Sequence, residues 1–456
     1  MNLASLKKTI YYLRRNGMKN TFYAVIEGLE QQKAKAYHYV APNESTLTAQ
    51  RNHDFTIKPL FSIVVPLYRT PKDYLIEMID SVLGQTYSRM ELILADATED
   101  DSVERIVRER YATELSAPGQ QQSGTGRIKY CRLEQNGGIS ENSNQALRLV
   151  TGEYVGLLDH DDVLTPDALF EMAVQIERMS REGLNPMLLY SDEDKCNQDR
   201  SAYYEPHFKT DFNFDLLLSN NYICHFLVMK RELLQSLGFR KEYDGAQDFD
   251  LVLRAVEQIP EEVQIVHIPK VLYHWRCHTG STAQNPRSKQ YAYEAGKRAV
   301  QDMARRRGWK AEAVHLKHLG FYGLNYEPDL LTVRKDVGAV GGKLMHRGRI
   351  AGGAYTCDGE VLYQGLKQGY SAYMHRGILL QNVDAVDIRS IRVSPACREL
   401  FREIVGVPYA TAENGCFDWK VLPEGTDYVA LSLKLGEALR SAGYRVCWDP
   451  LAAHPG

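Results

Sequence analysis

Between Phe61 and Asp162 the chain alternates short apolar runs with stretches of helical periodicity, and this alternation restricts the fold more than any other feature. FSIVVPLY has the length and β-branched content of a strand buried on both faces. A helical stretch from Tyr74 to Leu83 follows, then a strand, MELILAD, that ends in Asp96. Next come a helical segment from Val103 to Leu115, the polar loop PGQQQSGTG, and the strand RIKYCRL. The turn and helix NGGISENSNQALRLV lead to a fourth strand, EYVGLLD. Strands separated by helices require right-handed crossovers, which gives an α/β, Rossmann-like fold with a mainly parallel sheet. Ligands of such sheets sit beyond the carboxyl ends of the strands, where Pro66, Tyr68, Asp96, Asn136 and Asp159 all fall.

The 456 residues suffice for two or three domains. A formal charge of −3 excludes a general nucleic-acid binder, which carries a basic excess. The eight cysteines form no C-x-x-C pair, so they are expected to be reduced thiols rather than zinc ligands or disulfides. The start MNLASLKKTI lacks the apolar core of a signal peptide, and no run approaches the ~20 apolar residues of a membrane span. The expected location is therefore the cytoplasm. Residues 1–30 carry Leu3, Leu6, Ile10, Leu13, Phe22, Val25 and Leu29 at helical spacing among Lys7, Lys8, Arg14, Arg15 and Lys19. Such a helix either packs on its own protein or lies on the inner face of a membrane. Residues 41–58 are polar and patternless, as in a linker. The 28 tyrosines suit the walls of a carbohydrate site, although scattered core use explains them equally.

LLDHDDVL places Asp159, Asp161 and Asp162 directly after the fourth strand. In an extended segment Asp159 and Asp161 point to the same side, and two carboxylates that close repel unless a cation lies between them. Hard oxygen donors suit Mg2+ or Mn2+, which would neutralise the charge on a departing diphosphate. The competing reading is a solvated acidic turn ahead of the helix that starts at Thr165-Pro166-Asp167. The same acids also fit the nucleophile motif of aspartate-based phosphatases, but that motif closes the first strand of its domain, and here three strand–helix units precede it.

With these residues in view, the chain resembles a family 2 glycosyltransferase of the GT-A fold and the rhamnosyltransferase-like, polysaccharide-building type. FSIVVPLYR, GQTY, ELILAD, NGGISENSNQAL and TGEYVGLLDHDDVL carry the resemblance in order, and MLLYSDEDK, NYICHFLVMKRELL, YDGAQDFDLVLR and VLYHWRCHTGST extend it to about residue 310. The resemblance implies an inverting, metal-dependent transferase with a UDP- or dTDP-sugar donor and a glycan or lipid-linked acceptor. It implies that Pro66, Tyr68 and Asp96 border the nucleoside, that Asn136, Gly138 and Asn144 line the nucleotide side, and that Asp159 and Asp161 serve ribose and metal. Asp248 matches the catalytic base, with Asp250 as the alternative. Arg276 matches a phosphate partner and His278 the histidine of the metal shell, with His274 as the alternative. One departure is Ala97, where the family carries a second acid beside Asp96. For Asp192, Glu193 and Asp194, contact with the acceptor sugar and a solvated turn stand equal.

Three segments are expected: a helical N-terminal part with its linker (1–58), the GT-A domain (59–312), and a truncated glycosyltransferase-like domain without a nucleotide site (313–456). In the last, VGAVGGKL through GTDYVALSLKLGEALRSAGYRVCWDPLAAHPG echoes the acceptor half of the first domain, aligning Asp427 with Asp248 and placing His454 where the metal histidine would lie. A role in acceptor binding, dimerisation or packing is expected of it, and homo-oligomer formation stays open. Two rival functions fit the residues less well. A sugar nucleotidyltransferase needs a Gly-rich loop for triphosphate, and PLYRTPKDYL has no glycine. A carbohydrate-binding scaffold without activity gains nothing from unpaired buried acids.

Overall fold

The computed structural model describes residues 3–32, 37–116, 126–277 and 290–455. Two compact units emerge: Tyr37–Phe212 with Asn221–Ala299, and Met1–Ala36 with Asn213–Asn220 and Val300–Gly456. In chain order the elements begin with α1 (Leu3–Gln32) and α2 (Glu44–Arg51), followed by β1 (Phe61–Leu67), α3 (Lys72–Leu83), β2 (Met90–Asp96), α4 (Ser102–Arg110) and β3 (Ile128–Arg132). Then come α5 (Ile139–Leu147), β4 (Tyr154–Leu157), β5 (Val163–Leu164), α6 (Ala168–Arg181), β6 (Leu188–Cys196), β7 (Tyr203–His207), α7 (Phe214–Ser219) and β8 (Leu227–Lys230). The first unit closes with α8 (Arg231–Leu237), α9 (Gln247–Gln258) and β9 (Ile265–Arg276).

The first unit is a nine-stranded sheet in the order β3-β2-β1-β4-β8-β6-β9-β5, with β7 on the side of β6. Strands β3, β2, β1 and β4 are parallel, as the alternation of apolar runs and helices requires. Beyond β4 the sheet becomes mixed: β8 is antiparallel to β4 and β6, whereas β9 runs parallel to β6. This is the α/β architecture of the GT-A fold. Phe61, Ile63, Val65 and Leu67 on β1 are buried beside Leu75, Met78, Ile79 and Val82, which form one face of α3. Each such side chain contributes about 1.5–3 kcal/mol by leaving water. At Gly156 on β4 an added Cβ would lie 2.8 Å from Ile63 and 2.9 Å from Phe226, so the central strand admits no side chain there.

The second unit takes the part of α10 (Gln290–Arg306) from Val300 on and continues through β10 (Ala311–His315), β11 (Tyr322–Tyr326), α11 (Leu330–Val333), β12 (Val337–His346), β13 (Arg349–Gly352) and β14 (Ala354–Tyr355). It ends with β15 (Gln381–Asn382), β16 (Ala385–Val386), β17 (Ile391–Val393), α12 (Arg398–Val405), α13 (Tyr428–Ser441) and β18 (Arg445–Pro455). Its five-stranded sheet runs β13-β12-β18-β15 with β17 also on β12, over a core built on Ile391, Phe401, Phe417, Leu439 and Trp448.

The units divide differently from the expected segments 1–58, 59–312 and 313–456, and hydrogen bonds give the reason. Arg15 and Asn16 of α1 donate to the carbonyls of Leu316 and Lys317, and Glu27 accepts from the amides of Ser371 and Ala372, so α1 joins the C-terminal unit. Gln50 of α2 accepts from Thr86 and thereby holds the supposed linker in the first unit. Asp215 of α7, fully buried, pairs with the equally buried Arg334 at 2.8 Å. Desolvation pushes the Asp215 carboxyl up, but Arg334 and Asn382 outweigh it and the net pKa is lowered. The Asp215→Ala variant strands the guanidinium away from water with Asp336 as its remaining acid, so a loss of about 3–5 kcal/mol is expected in chemical denaturation.

Candidate active site

The acids of LLDHDD fall where the parallel strands end. After β4 the chain does not stay extended: it turns, with the amide of Asp162 donating to the carbonyl of Asp159 at 3.2 Å. The pair that converges is therefore Asp159 and Asp162, three apart in a turn, rather than Asp159 and Asp161. One donor atom each from Asp159, Asp162 and His225 lie within 4.8 Å of one another. Asp161 is outside this group, and the expected metal ligand His278 lies outside the described residues. His274, the alternative, is buried on β9 with Nδ1 2.5 Å from Asp194 and its ring packed against Tyr39 and Tyr203, which makes it a core residue.

Asp162 is fully buried and fixed by β9: the Tyr273 hydroxyl donates to it at 2.5 Å and the Arg276 amide at 2.7 Å. The ring of His225 stacks on Tyr273 at 4.6 Å between centroids, 8° from parallel. One tyrosine thus braces both an acid and the imidazole. Burial first, then Asp161 and Asp159, push the Asp162 carboxyl well above its ordinary value. Asp159 opens to solvent along the cleft yet is ringed by protein, so desolvation raises its pKa, opposed by His225 and reinforced by Asp161 and Asp248. Two carboxyls whose charged forms are disfavoured, beside an imidazole, form a donor set that a hard divalent cation fits, since the cation supplies the missing compensation.

Arg276 takes a different part from the phosphate partner expected of it. It is fully buried, with its guanidinium donating to the carbonyls of Asp161 and Gln198 and to Glu77 at 2.6 Å, over the ring of Tyr74. Those bonds tie β9 to the acidic turn, and the buried guanidinium is shut away from a ligand. Asn144 is likewise corrected: its amide donates to and accepts from the backbone of Phe239, pinning the α8–α9 loop.

On the nucleotide side, Pro66 and Leu67 at the end of β1 pair with Ala95 and Asp96 of β2, and Tyr68 follows directly after the strand. Tyr68 is exposed, its hydroxyl bonded to Glu99. Asp96 is buried, accepting from the Thr98 amide at 2.9 Å and from the Tyr130 hydroxyl at 2.6 Å, so it shapes the loop after β2 from within. The side-chain oxygen of Asn136 turns back on the Gly138 amide and on Asn142. Gly138 opens α5 at φ 95°, and a Cβ there would lie 2.7 Å from Asp244, whose carboxylate accepts from the Ser140 amide. Only glycine lets that acid approach the helix start.

Asp248 and Asp250 both lie in the first turn of α9 but diverge. Asp250 is buried between Arg240 and Arg254. Asp248 is half-buried, and its Oδ2 accepts from Asn221 Nδ2 at 2.8 Å with Cys224 Sγ 3.6 Å away. Its Oδ1 has no hydrogen bond among the described residues. Its charge bears on Asp159, so base candidate and acidic cluster share one cleft.

Residues 62–238 match the sequence model described as Glycosyl transferase family 2. The domain belongs to that family. The chain is 40% identical over 265 residues to the protein y4gI of Sinorhizobium fredii (strain NBRC 101917 / NGR234), covering 58% of this chain and 27% of that one. It is 34% identical over 259 residues to the O-antigen biosynthesis protein RfbC of Myxococcus xanthus, covering 56% and 19%. It thus spans less than a third of either relative. Among solved structures, TarS 1–349 of S. aureus in complex with UDP-GlcNAc matches with a TM-score of 0.40 and 19% identity over 54% of this chain and 66% of that one.

This family 2 domain owes its cleft to residues that the sequence alone did not single out. Asn221 and His225 lie in NYICHF, an apolar stretch whose two polar interruptions were the available signal. Beneath them Lys209, fully buried, donates to the carbonyl of Ile223 at 2.7 Å and to that of His225, and faces Glu193 at 3.5 Å. Glu193 in turn accepts from the His225 amide at 3.2 Å. Burial raises its pKa, yet Lys209 and the flanking histidines prevail and the carboxyl is held well below the usual range. Asp192 and Asp194 are engaged too, with His267 and the Lys209 amide, and with His274 and Tyr37. The acidic triplet is neither a solvated turn nor open to a sugar; it is the internal brace of β6. Lys209→Met leaves Glu193 buried without its cation, with an expected cost of about 3–5 kcal/mol, and Glu193→Gln added to it should recover much of that loss in a double-mutant cycle.

Proposed function

We propose that this chain is an inverting, metal-dependent glycosyltransferase that moves a hexose or deoxyhexose from a UDP- or dTDP-linked donor onto a glycan or lipid-linked acceptor during surface polysaccharide synthesis. The observation that carries the reading is the convergence of Asp159, Asp162 and His225 within 4.8 Å, with Asp248 close enough to raise the Asp159 pKa. Family membership supports transfer chemistry, and the name of the RfbC relative supports the polysaccharide role. When bound, Mg2+ or Mn2+ would supply Lewis-acid stabilisation of the departing diphosphate.

The chain's own groups do the rest. Asp248 Oδ1, free of hydrogen bonds among the described residues, accepts the proton of the acceptor hydroxyl as that oxygen attacks the anomeric carbon from the face opposite the nucleotide. Asn221 holds Oδ2, so the carboxylate cannot rotate away. Pro66 and Tyr68 border the base, and the Asp96-organised loop borders the ribose. The inactive-scaffold reading gains no support from this geometry, because among the described residues Asp248 has no salt bridge to give it a structural task.

The N-terminal helix leaves Met18, Phe22, Val25 and Leu29 exposed beside Arg14, Arg15 and Lys19. No helix among the described residues is long and apolar enough to cross a membrane. Peripheral attachment to an anionic lipid surface on the cytoplasmic side is part of the proposal.

Three outcomes test it. Asp248→Asn should retain nucleotide binding while transfer falls by at least about 100-fold, the lower range for losing a general base; undiminished turnover refutes the assignment. Asp159→Ala and His225→Ala should each abolish the extra thermal stabilisation that UDP or dTDP gives in Mn2+ over EDTA, which for the parent is about 2.7 kcal/mol at a hundredfold excess over Kd. Cosedimentation with anionic vesicles should be strong at low salt, weaken as salt screens the charge, and disappear in Phe22→Glu/Leu29→Glu.

A further inference from the structure

The C-terminal sheet repeats the pairing scheme of the second half of the first sheet. Strand β6 pairs antiparallel with β7 and β8 and parallel with β9; strand β12 pairs antiparallel with β13 and β17 and parallel with β18. Helix α8 follows β8 and α9 feeds β9, just as α12 follows β17 and α13 feeds β18. Register fixes the correspondence. Leu188 and Leu189 face Met229 and Val228, whereas Ala339 and Val340 face Val393 and Arg392. The parallel partners agree, with Leu188 against Ile265 and Ala339 against Val446.

Carried along this match, the repeat has lost both the acidic brace and the base candidate. Asp192, Glu193 and Asp194 become Lys343, Leu344 and Met345. Asp427, which the sequence aligns with Asp248, has a side chain spent on capping α13 through the amides of Val429 and Ala430. Something has also been added. Val228, fully buried in the first core, corresponds to Arg392, whose half-buried guanidinium has no hydrogen bond or ion pair among the described residues. Arg392 lines a cavity of ≈ 370 Å³ together with Tyr322, Leu324, Asn325, Asp329 and Asp449. That volume lies within the range of small-ligand sites. Asp329 already caps α11 through Leu331 and Thr332, and one oxygen of Asp449 holds the Leu451 amide, while the Asn325 side chain is exposed and has no hydrogen bond among the described residues.

We propose that this cavity binds a neutral saccharide without acting on it, so that the C-terminal unit is a duplicated acceptor-side half converted into a glycan-holding module. A guanidinium and an amide offer paired donors to adjacent hydroxyls, a carboxylate accepts from a third, and tyrosine and leucine supply the apolar wall for the sugar ring. Two acids against one arginine disfavour a nucleotide or another phosphorylated ligand. The choice of a glycan rests on the family reading above, but the site does not depend on the catalytic assignments.

The test is binding of the full chain to an array of neutral bacterial oligosaccharides, followed by saturation-transfer NMR on the sugars retained. Retention is expected in Asp159→Ala and Asp248→Asn and in the presence of excess UDP and Mn2+. It should weaken about tenfold or more in Arg392→Ala and in Asn325→Ala, each with an unchanged melting curve. Absence of retained sugar, indifference to both cavity variants, or loss in Asp159→Ala would overturn the proposal. Failure of nucleotide binding with retention intact would instead count against the transferase reading alone.

Discussion

The buried carboxylate of Asp162 is the constraint on which the cleft depends. It cannot leave the protein interior, so its two bonds to Tyr273 and the Arg276 amide fix the acidic turn after β4 against β9, which belongs to the other half of the sheet. Arg276 completes the clamp by reaching the carbonyl of Asp161 and Glu77 of α3. Without that clamp the parallel half would carry acids on a mobile turn, and the mixed half would carry His225 and Asp248 with nothing to face. Specific hydrogen bonds offset part of the cost of burying these groups, so the arrangement has little freedom to relax.

A second buried charge performs the same task on the opposite wall. Lys209 has no access to water and gathers two carbonyls and Glu193 around its ammonium. Residues 221–226 are thereby held from beneath while their upper side presents Asn221 and His225. The two walls are independent in sequence and meet through the stacking of His225 on Tyr273.

Much of the parallel half was legible because local periodicity determines it. Four apolar runs became β1 to β4, and the positions beyond their ends became the cleft. The acidic turn was misread at the level of a single residue: alternation along a strand paired Asp159 with Asp161, but a turn brings together residues three apart. Arg276 and Asn144 have the chemistry to bind phosphate or nucleotide, and only burial and partners reveal that they hold backbone instead. His225 and Asn221 were hidden because their importance comes from β8 lying antiparallel between β4 and β6, a long-range pairing that periodicity does not encode. Asp248 against Asp250 was decided by helix geometry, which sends one acid toward the cleft and the other between two arginines.

The loop braced by Lys209 has one consequence for fidelity. Because a single hexapeptide carries both the imidazole facing the acids and the amide steadying the base, the two halves of the reaction cannot be armed separately. In the proposed mechanism, any excursion that loosens the grip on the nucleotide also unseats the proton acceptor. A donor held badly is then a donor that water cannot readily attack, and the enzyme would spend its activated sugar on acceptors rather than on solvent.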